Sequence, residues 1–249
     1  MSTEPKIMKK EQKDNMFETS NLKDKFSKIY EENLFKGRHS RSGEGSDFVQ
    51  TEVIRNELPR IIKEYNIKAF LDAPCGDWYW MQETKLGDGV KYIGVDIVDN
   101  LIEKNNKEFG NSFTFFRKVN LTENYLPRAD LIFSRDCLVH LSFFDALKMI
   151  SNFKLSGAKY LLTTTFVNLA ENKELEGENS FWRPLNMELA PFNFPKPLLL
   201  INEDCTEENG KYSDKSLGLW KLKDIKMSYL ENNLVKPLIK QIFNKIIRN

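Results

Sequence analysis

Two short apolar runs in this chain each end in a carboxylate, at a spacing that suits neighbouring strands of one sheet. Residues 70–80 read FLDAPCGDWYW and residues 92–100 read YIGVDIVDN, so Asp72 closes the first run and Asp96 the second. In an open parallel sheet, ligands gather at the carboxyl ends of strands, and an acid at the tip of the second strand can hold a ribose diol. The plainer reading of either acid is a helix cap or loop acceptor; two in register favour a nucleoside ligand. The turn after Asp72 keeps one glycine, Gly76, where a dinucleotide fold uses G-x-G-x-x-G to bring backbone amides onto a pyrophosphate. Pro74 and Trp78 stand where small residues would be needed, and Asp77 would repel a pyrophosphate. A nucleoside cofactor without phosphate suits this loop better.

Three further groups carry candidate chemistry. Arg41, Ser42, Gly43 and Gly45 fall in the loop GRHSRSGEGSD, residues 37–47. Its amides can cradle an anion and Arg41 can pair with a carboxylate, either of a cofactor or of an acidic acceptor; a plain surface loop is the competing reading. The run 129–134 reads as a buried strand, which brings Arg135 and Asp136 out at its carboxyl end beside the same site. His140 follows four residues after Asp136, and the two share a face if this turn is helical. A His oriented by an Asp, or the Asp alone, can remove a proton from an acceptor; capping the next helix or filling a polar core position is the structural alternative. The third group lies in Val167–Pro197, a stretch with four prolines and no clear periodicity, and such long segments are usually functional or disordered. There Trp182 can stack on a sugar or base and Arg183 can grip phosphate or carboxylate, so both are expected to bind the acceptor unless they pack the loop onto the sheet.

SRSGEGSD (Ser40–Asp47), LDAPCGDWYWM (Leu71–Met81), YIGVDIV (Tyr92–Val98), SRDCLVHLS (Ser134–Ser142), LLTTTF (Leu161–Phe166) and LGLWKL (Leu217–Leu222) together resemble class I S-adenosylmethionine-dependent methyltransferases. Within that class they resemble a bacterial subfamily that accompanies surface-polysaccharide modification, including O-methyl phosphoramidate groups on capsules. The resemblance departs from the class at the first motif, where two of the usual three glycines are missing. It implies S-adenosylmethionine as cofactor, a nucleoside joined to an amino acid and free of phosphate. It also implies that Asp96 accepts the ribose hydroxyls, that Asp72 helps place the methionine end, and that Asn120 replaces an acid facing the adenine amino group, its amide oxygen accepting that bond. Pro74, Gly76, Ile97, Arg41 and Arg135 complete the expected cofactor set, and Asp136 and His140 are the expected catalytic pair. The expected reaction is O-methylation of a small polar acceptor such as a sugar, nucleotide-linked sugar or phosphoramidate. An N-methyltransferase, a nicotinamide-dependent oxidoreductase and a catalytically silent binding protein remain alternatives.

The elements that must position these residues follow from hydrophobic pattern. Strands are expected at about 68–73, 91–97, 113–119, 129–135, 158–166, 198–203 and 216–223, with helices at about 78–85, 99–109 and 142–154. Alternation of strand and helix predicts a Rossmann-like, seven-stranded, mostly parallel α/β sheet with helices on both faces and an antiparallel last strand. An N-terminal helical extension is expected over 16–64: a stripe through Phe17, Leu22, Phe26, Ile29 and Leu34, then a second helix capped by Ser46 or Asp47 and kinked or split at Pro59. One domain is expected: a disordered start at 1–15, the extension, a core at 65–223 and a C-terminal amphipathic helix at 224–249. A chain of 249 residues can bury a sufficient core without disulfides. Its three cysteines, odd in number and unpaired in spacing, fit a reducing compartment and argue against a metal site. The net charge of +1 gives no field for nucleic acid. The polar N-terminus and the lack of a long apolar run point to a cytoplasmic protein with no stable membrane insertion. The basic amphipathic C-terminus is expected to dock on the domain or on a second subunit, which leaves a homodimer open.

Overall fold

The computed structural model describes residues 21–175 and 181–226. The expected disordered start and nearly all of the expected C-terminal helix lie outside these residues. Seven strands form one sheet: β1 (Ala69–Asp72), β2 (Lys91–Asp96), β3 (Thr114–Lys118), β4 (Leu131–Ser134), β5 (Tyr160–Phe166), β6 (Leu199–Asn202) and β7 (Lys215–Lys221). Their order is β3-β2-β1-β4-β5-β7-β6. The pairs β1–β2, β1–β4, β2–β3 and β4–β5 are parallel, and β7 is antiparallel to both β5 and β6. All seven expected strands therefore form, each within a few residues of its expected ends, and the antiparallel closing strand is present. Strand order reverses between β1 and β4, so the ligand-binding crevice of such a sheet falls at the tips of β1, β2 and β4.

Side-chain alternation along the strands explains the two apolar layers. Phe70, Tyr92, Leu131 and Phe133 pack with Ile54, Leu58, Ile61, Leu101 and Ile102, from α2 (Glu52–Glu64) and α3 (Asp99–Phe109). Leu71, Ile93, Val95 and Ile132 point the other way, onto Ala146, Met149, Ile150 and Phe153 of α4 (Phe143–Leu155). Ser142 caps α4 by accepting the Asp145 amide at 3.0 Å. Helix α1 (Leu22–Glu31) belongs to the N-terminal extension and buries Leu22 and Ile29, while Leu34 lies beyond its end and is 37% exposed. A short irregular turn, α5, occupies Glu207–Gly210, with Glu208 and Asn209 in the left-handed region. No helix among the described residues is long and apolar enough to cross a membrane.

Three local expectations are corrected. Helix α2 continues through Pro59 without the expected split and starts after Thr51, while Ser46 sits in a separate 3₁₀ turn, Glu44–Ser46. Proline in a helix interior costs about 3 kcal/mol, but Ile54, Leu58, Ile61 and Ile62 are all buried on either side of it, and each such side chain contributes roughly 1.5–3 kcal/mol. Packing wins. The expected helix over 78–85 is reduced to a 3₁₀ turn at Met81–Glu83. Trp78 takes the left-handed conformation, φ 58°, which puts its ring against Tyr92, Phe109 and Phe116 at centroid distances of 5.5, 4.8 and 5.4 Å.

Candidate active site

The loop after β1 is stapled between its neighbours. Ala73 N donates to Phe133 O at 2.8 Å, Cys75 N to Val95 O at 2.9 Å and Gly76 N to an Asp96 carboxylate oxygen at 3.2 Å. The other Asp96 oxygen accepts the Val98 amide at 3.1 Å. Gly76 adopts φ 55°, and a Cβ there would collide with the Ser42 hydroxyl. Both requirements explain why this glycine survives in a loop that otherwise lacks them. Asp72 lies under the loop, 3% exposed, and accepts the Tyr92 hydroxyl at 2.6 Å. Burial raises its pKa to about 8, against the lowering effect of the Tyr92 bond. Burial also raises Asp96, which the Val98 and Gly76 amides partly offset.

These acids open on one cavity, and every expected cofactor or catalytic residue lines it: Arg41, Asp72, Pro74, Gly76, Asp96, Ile97, Asn120, Arg135, Asp136 and His140. Apolar residues of α1 (Leu22, Phe26, Ile29) complete its walls. A second cavity adjoins the first and holds Trp182, Phe166, Tyr212, Glu207 and Lys215 in its lining. The two share Phe35, Ser42, Ser46, Asp136 and His140.

Individual roles depart from expectation at several of these positions. Asp136 and His140 line the same junction, but the turn between them is 3₁₀, Leu138–His140, and Asp136 precedes it at φ 51°. His140 therefore finds a different partner: its Nδ1 bonds the Phe181 carbonyl. A carbonyl can only accept, so Nδ1 carries the proton and Nε2 keeps its lone pair. Burial lowers the His140 pKa to about 4, overcoming the Phe181 bond and the nearby Asp136 charge. The imidazole is neutral at neutral pH and stacks on Phe35, centroids 4.6 Å apart.

Asp136 is held as an anion. Burial works against its charge, but Lys215 at 2.6 Å and Arg135 at 3.3 Å prevail and hold the carboxyl at about 2. Such an acid hardly takes up a proton at neutral pH, which weighs against Asp136 as a base. Arg135 is not free for a cofactor carboxylate either. Its Nε donates to Glu203 at 2.6 Å and its Nη1 to the Gly45 carbonyl at 2.8 Å. Arg41 turns the same way, its Nη1 donating to the carbonyls of Tyr30 and Glu31 at 3.0 and 2.9 Å. The Asn120 amide oxygen accepts both the amide and the hydroxyl of Thr122, at 3.1 and 2.9 Å. Both lone pairs of that oxygen are thus taken, so it is not free as the expected acceptor. Arg183 lines neither cavity. Its guanidinium donates to the carbonyls of Lys173, Leu138 and Leu141 at 2.9, 3.0 and 2.6 Å, so it ties the long segment to the 3₁₀ turn and is not an acceptor grip.

Sequence reasoning missed Tyr92, Lys215 and Glu203. The only trace of Lys215 in the sequence is a lysine heading an apolar strand, and nothing local announces its pairing with Asp136 across β5.

No protein-family model and no curated protein matches the sequence. Solved structures do match in fold. 1,6-didemethyltoxoflavin-N1-methyltransferase of Burkholderia thailandensis, with its namesake compound and S-adenosylhomocysteine bound, aligns with a TM-score of 0.56 and 13% identity, over 88% of this chain and 92% of that one. Human N-acetylserotonin methyltransferase, in complex with SAM, aligns with a TM-score of 0.52 and 14% identity, over 79% of this chain. This chain spans 58% of that human protein's length. The methyltransferase domain of bacterial CtHen1 aligns with a TM-score of 0.51 and 12% identity, over 69% and 99%. The fold is the Rossmann-like fold of the S-adenosylmethionine-dependent methyltransferases, with the sheet order and antiparallel β7 described above.

Proposed function

We propose that this chain is an S-adenosylmethionine-dependent methyltransferase that methylates oxygen on a small polar acceptor. One observation carries the reading: two buried acids at adjacent strand tips face a cavity that meets a second one at Asp136 and His140. The residues present fit the cofactor. Buried carboxylates with raised pKa values are costly unless hydroxyl donors or a cation answer them. Ribose hydroxyls on Asp96 and a positively charged amino-acid end near Asp72 would do both. The loop carries no cation for phosphate, and Asp77 is committed to its own contacts with Ser40 and Arg41, which speaks against a pyrophosphate ligand. When bound, S-adenosylmethionine supplies a methyl group on a positively charged sulfur.

The second cavity is then the acceptor side, walled by Phe166, Trp182 and Tyr212. Alignment of the acceptor by those walls is the larger contribution, since positioning alone is worth up to about 7–11 kcal/mol. In this reading His140 Nε2, which keeps its lone pair, takes the acceptor proton, and Asp136 is a fixed anion that orients polar hydrogens. A sugar, nucleotide-linked sugar or phosphoramidate of surface polysaccharide is the acceptor class that the motif resemblance supports. Methylation of nitrogen is the second reading, favoured by the low His140 pKa: an imidazole that titrates near 4 is a weak base, and an amine needs none.

Calorimetric titration with S-adenosylhomocysteine tests the core of the proposal. Wild type should bind, and Asp96→Ala should lose affinity by about tenfold or more, as charge-assisted bonds are worth about 1.5–3 kcal/mol each. Equal affinity in the two proteins would remove Asp96 from the cofactor site.

A further inference from the structure

Asp77 is the residue least suited to a phosphate loop, and the structure gives it a different task. Its carboxylate accepts the Ser40 hydroxyl at 2.8 and 3.0 Å, the Arg41 amide at 2.8 Å and the Ser42 hydroxyl at 3.3 Å. In return the Asp77 amide donates to Ser42 Oγ at 3.2 Å. Ser40 is 1% exposed, so its own bonds to Asp77 are sheltered, charge-assisted bonds of the stronger kind. Residues 40–46 form only one turn, closed by Gly43 N donating to Ser40 O at 3.3 Å, and one 3₁₀ turn with no side-chain cap, so this stretch has little secondary structure of its own to hold it.

The far end of the same stretch is fastened by another cavity residue. Arg135 donates to the carbonyls of Gly45 and Gln50 at 2.8 and 3.4 Å. Ser42, held at the first anchor, and Ser46, next to Gly45 at the second, both line the two cavities. Residues 40–46 are thus a strap across the boundary of the two cavities, tied at one end to the loop that follows Gly76 and at the other to the tip of β4.

We propose that Asp77 is a positioning residue: by holding residues 40–46 it builds the wall that the two cavities share, so that the acceptor side is assembled by the same loop that receives the cofactor. The proposal rests on the two-cavity reading above, but its structural half can be measured without any ligand. In the ligand-free full chain, amide hydrogen exchange over 38–47 should speed up at least about tenfold in Asp77→Ala, the loss of charge-assisted bonds. Exchange in β1, β2 and β4 should stay near wild type, and trypsin should cut faster after Arg41. Asp77→Asn keeps one acceptor oxygen and should fall between. With methyl transfer as the readout, Asp77→Ala should raise the KM for both cofactor and acceptor more than it lowers kcat, a split that a general loss of folded protein does not produce.

Should Asp77→Ala unfold, the double variant Ser40→Ala, Ser42→Ala removes the same bonds from the strap side and should show the same local loss. Wild-type protection over 38–47 in either folded variant would overturn the proposal, as would an unchanged KM beside a loosened strap. Failure of wild type to bind S-adenosylhomocysteine strikes the functional reading instead, and leaves the exchange result standing.

Discussion

Replacing Asp72 by Asn should make the unliganded protein more stable, increasingly so as pH rises. The carboxyl is 3% exposed and its pKa is lifted from 3.8 to about 8, so the folded state holds a proton that the unfolded chain gives up. For an acid raised on folding, stability is fully present below the unfolded value and is lost as pH rises through the folded one. The window is therefore pH 3.8 to about 8, and within it wild type should lose about 1.4 kcal/mol per pH unit through this group. Asn has no such proton. The advantage of Asp72→Asn should grow by about 2 kcal/mol between pH 5.5 and 7 and flatten above pH 8. Its absolute size depends on how well the new amide finds partners beside Tyr92, so the growth with pH is the decisive quantity. Urea denaturation of both proteins at several pH values measures it. Parallel stability curves would show that Asp72 is already ionised in the empty site, and the argument from uncompensated buried acids would fail. The gain should carry a functional loss, with Asp72→Asn binding S-adenosylmethionine more weakly, because stability at a ligand site is commonly traded for binding.

His140→Ala should lower turnover by about 10²–10⁴ with S-adenosylhomocysteine affinity unchanged, if Nε2 takes the acceptor proton. In wild type the same proposal predicts kcat flat from pH 6 to 8, since the imidazole titrates near 4; near-normal turnover of the variant assigns the reaction to positioning or to a nitrogen acceptor. Lys215→Met should destabilise the fold by roughly 3–5 kcal/mol, the usual effect of breaking a buried ion pair from one side. Wild-type stability by urea denaturation would show that Arg135 alone satisfies Asp136 and Glu203.

The sheet was legible because each strand advertises itself locally. An apolar run such as 131–134 or 160–166 must be buried, and strands separated by helical patterns must pair in parallel. The acids at the tips of β1 and β2 were legible for the same reason, since a strand's last residue marks the edge of the crevice. Local pattern failed where a side chain's partner is remote. Trp78 broke the expected helix over 78–85 because Phe109 and Phe116, some thirty or more residues on, offered its ring more than the helix could. Pro59 failed to split α2 for the mirror reason: the sheet beneath held both halves.

The candidate site shows the same division more sharply. Residue type and position correctly brought Asp136, His140 and Arg135 to one cavity, but the roles assigned to them assumed that neighbours in sequence would be partners in space. Arg135 does pair with adjacent Asp136, but it also meets Glu203 from β6's end, Asp136 also meets Lys215 from the head of β7, and His140 meets the Phe181 carbonyl. These added partners lie 41 to 79 residues away. Antiparallel insertion of β7 beside β5 is what brings Lys215 level with Phe166 and close to the β4 tip. In a wholly parallel sheet the head of that strand would lie at the opposite edge, and Asp136 would lose the cation that keeps it ionised. The reversed strand thus does more than close the sheet. It delivers a lysine to the carboxyl-end crevice and sets a buried cation against Asp136, which holds that carboxyl as an anion at the junction of the two cavities, beside the neutral imidazole of His140.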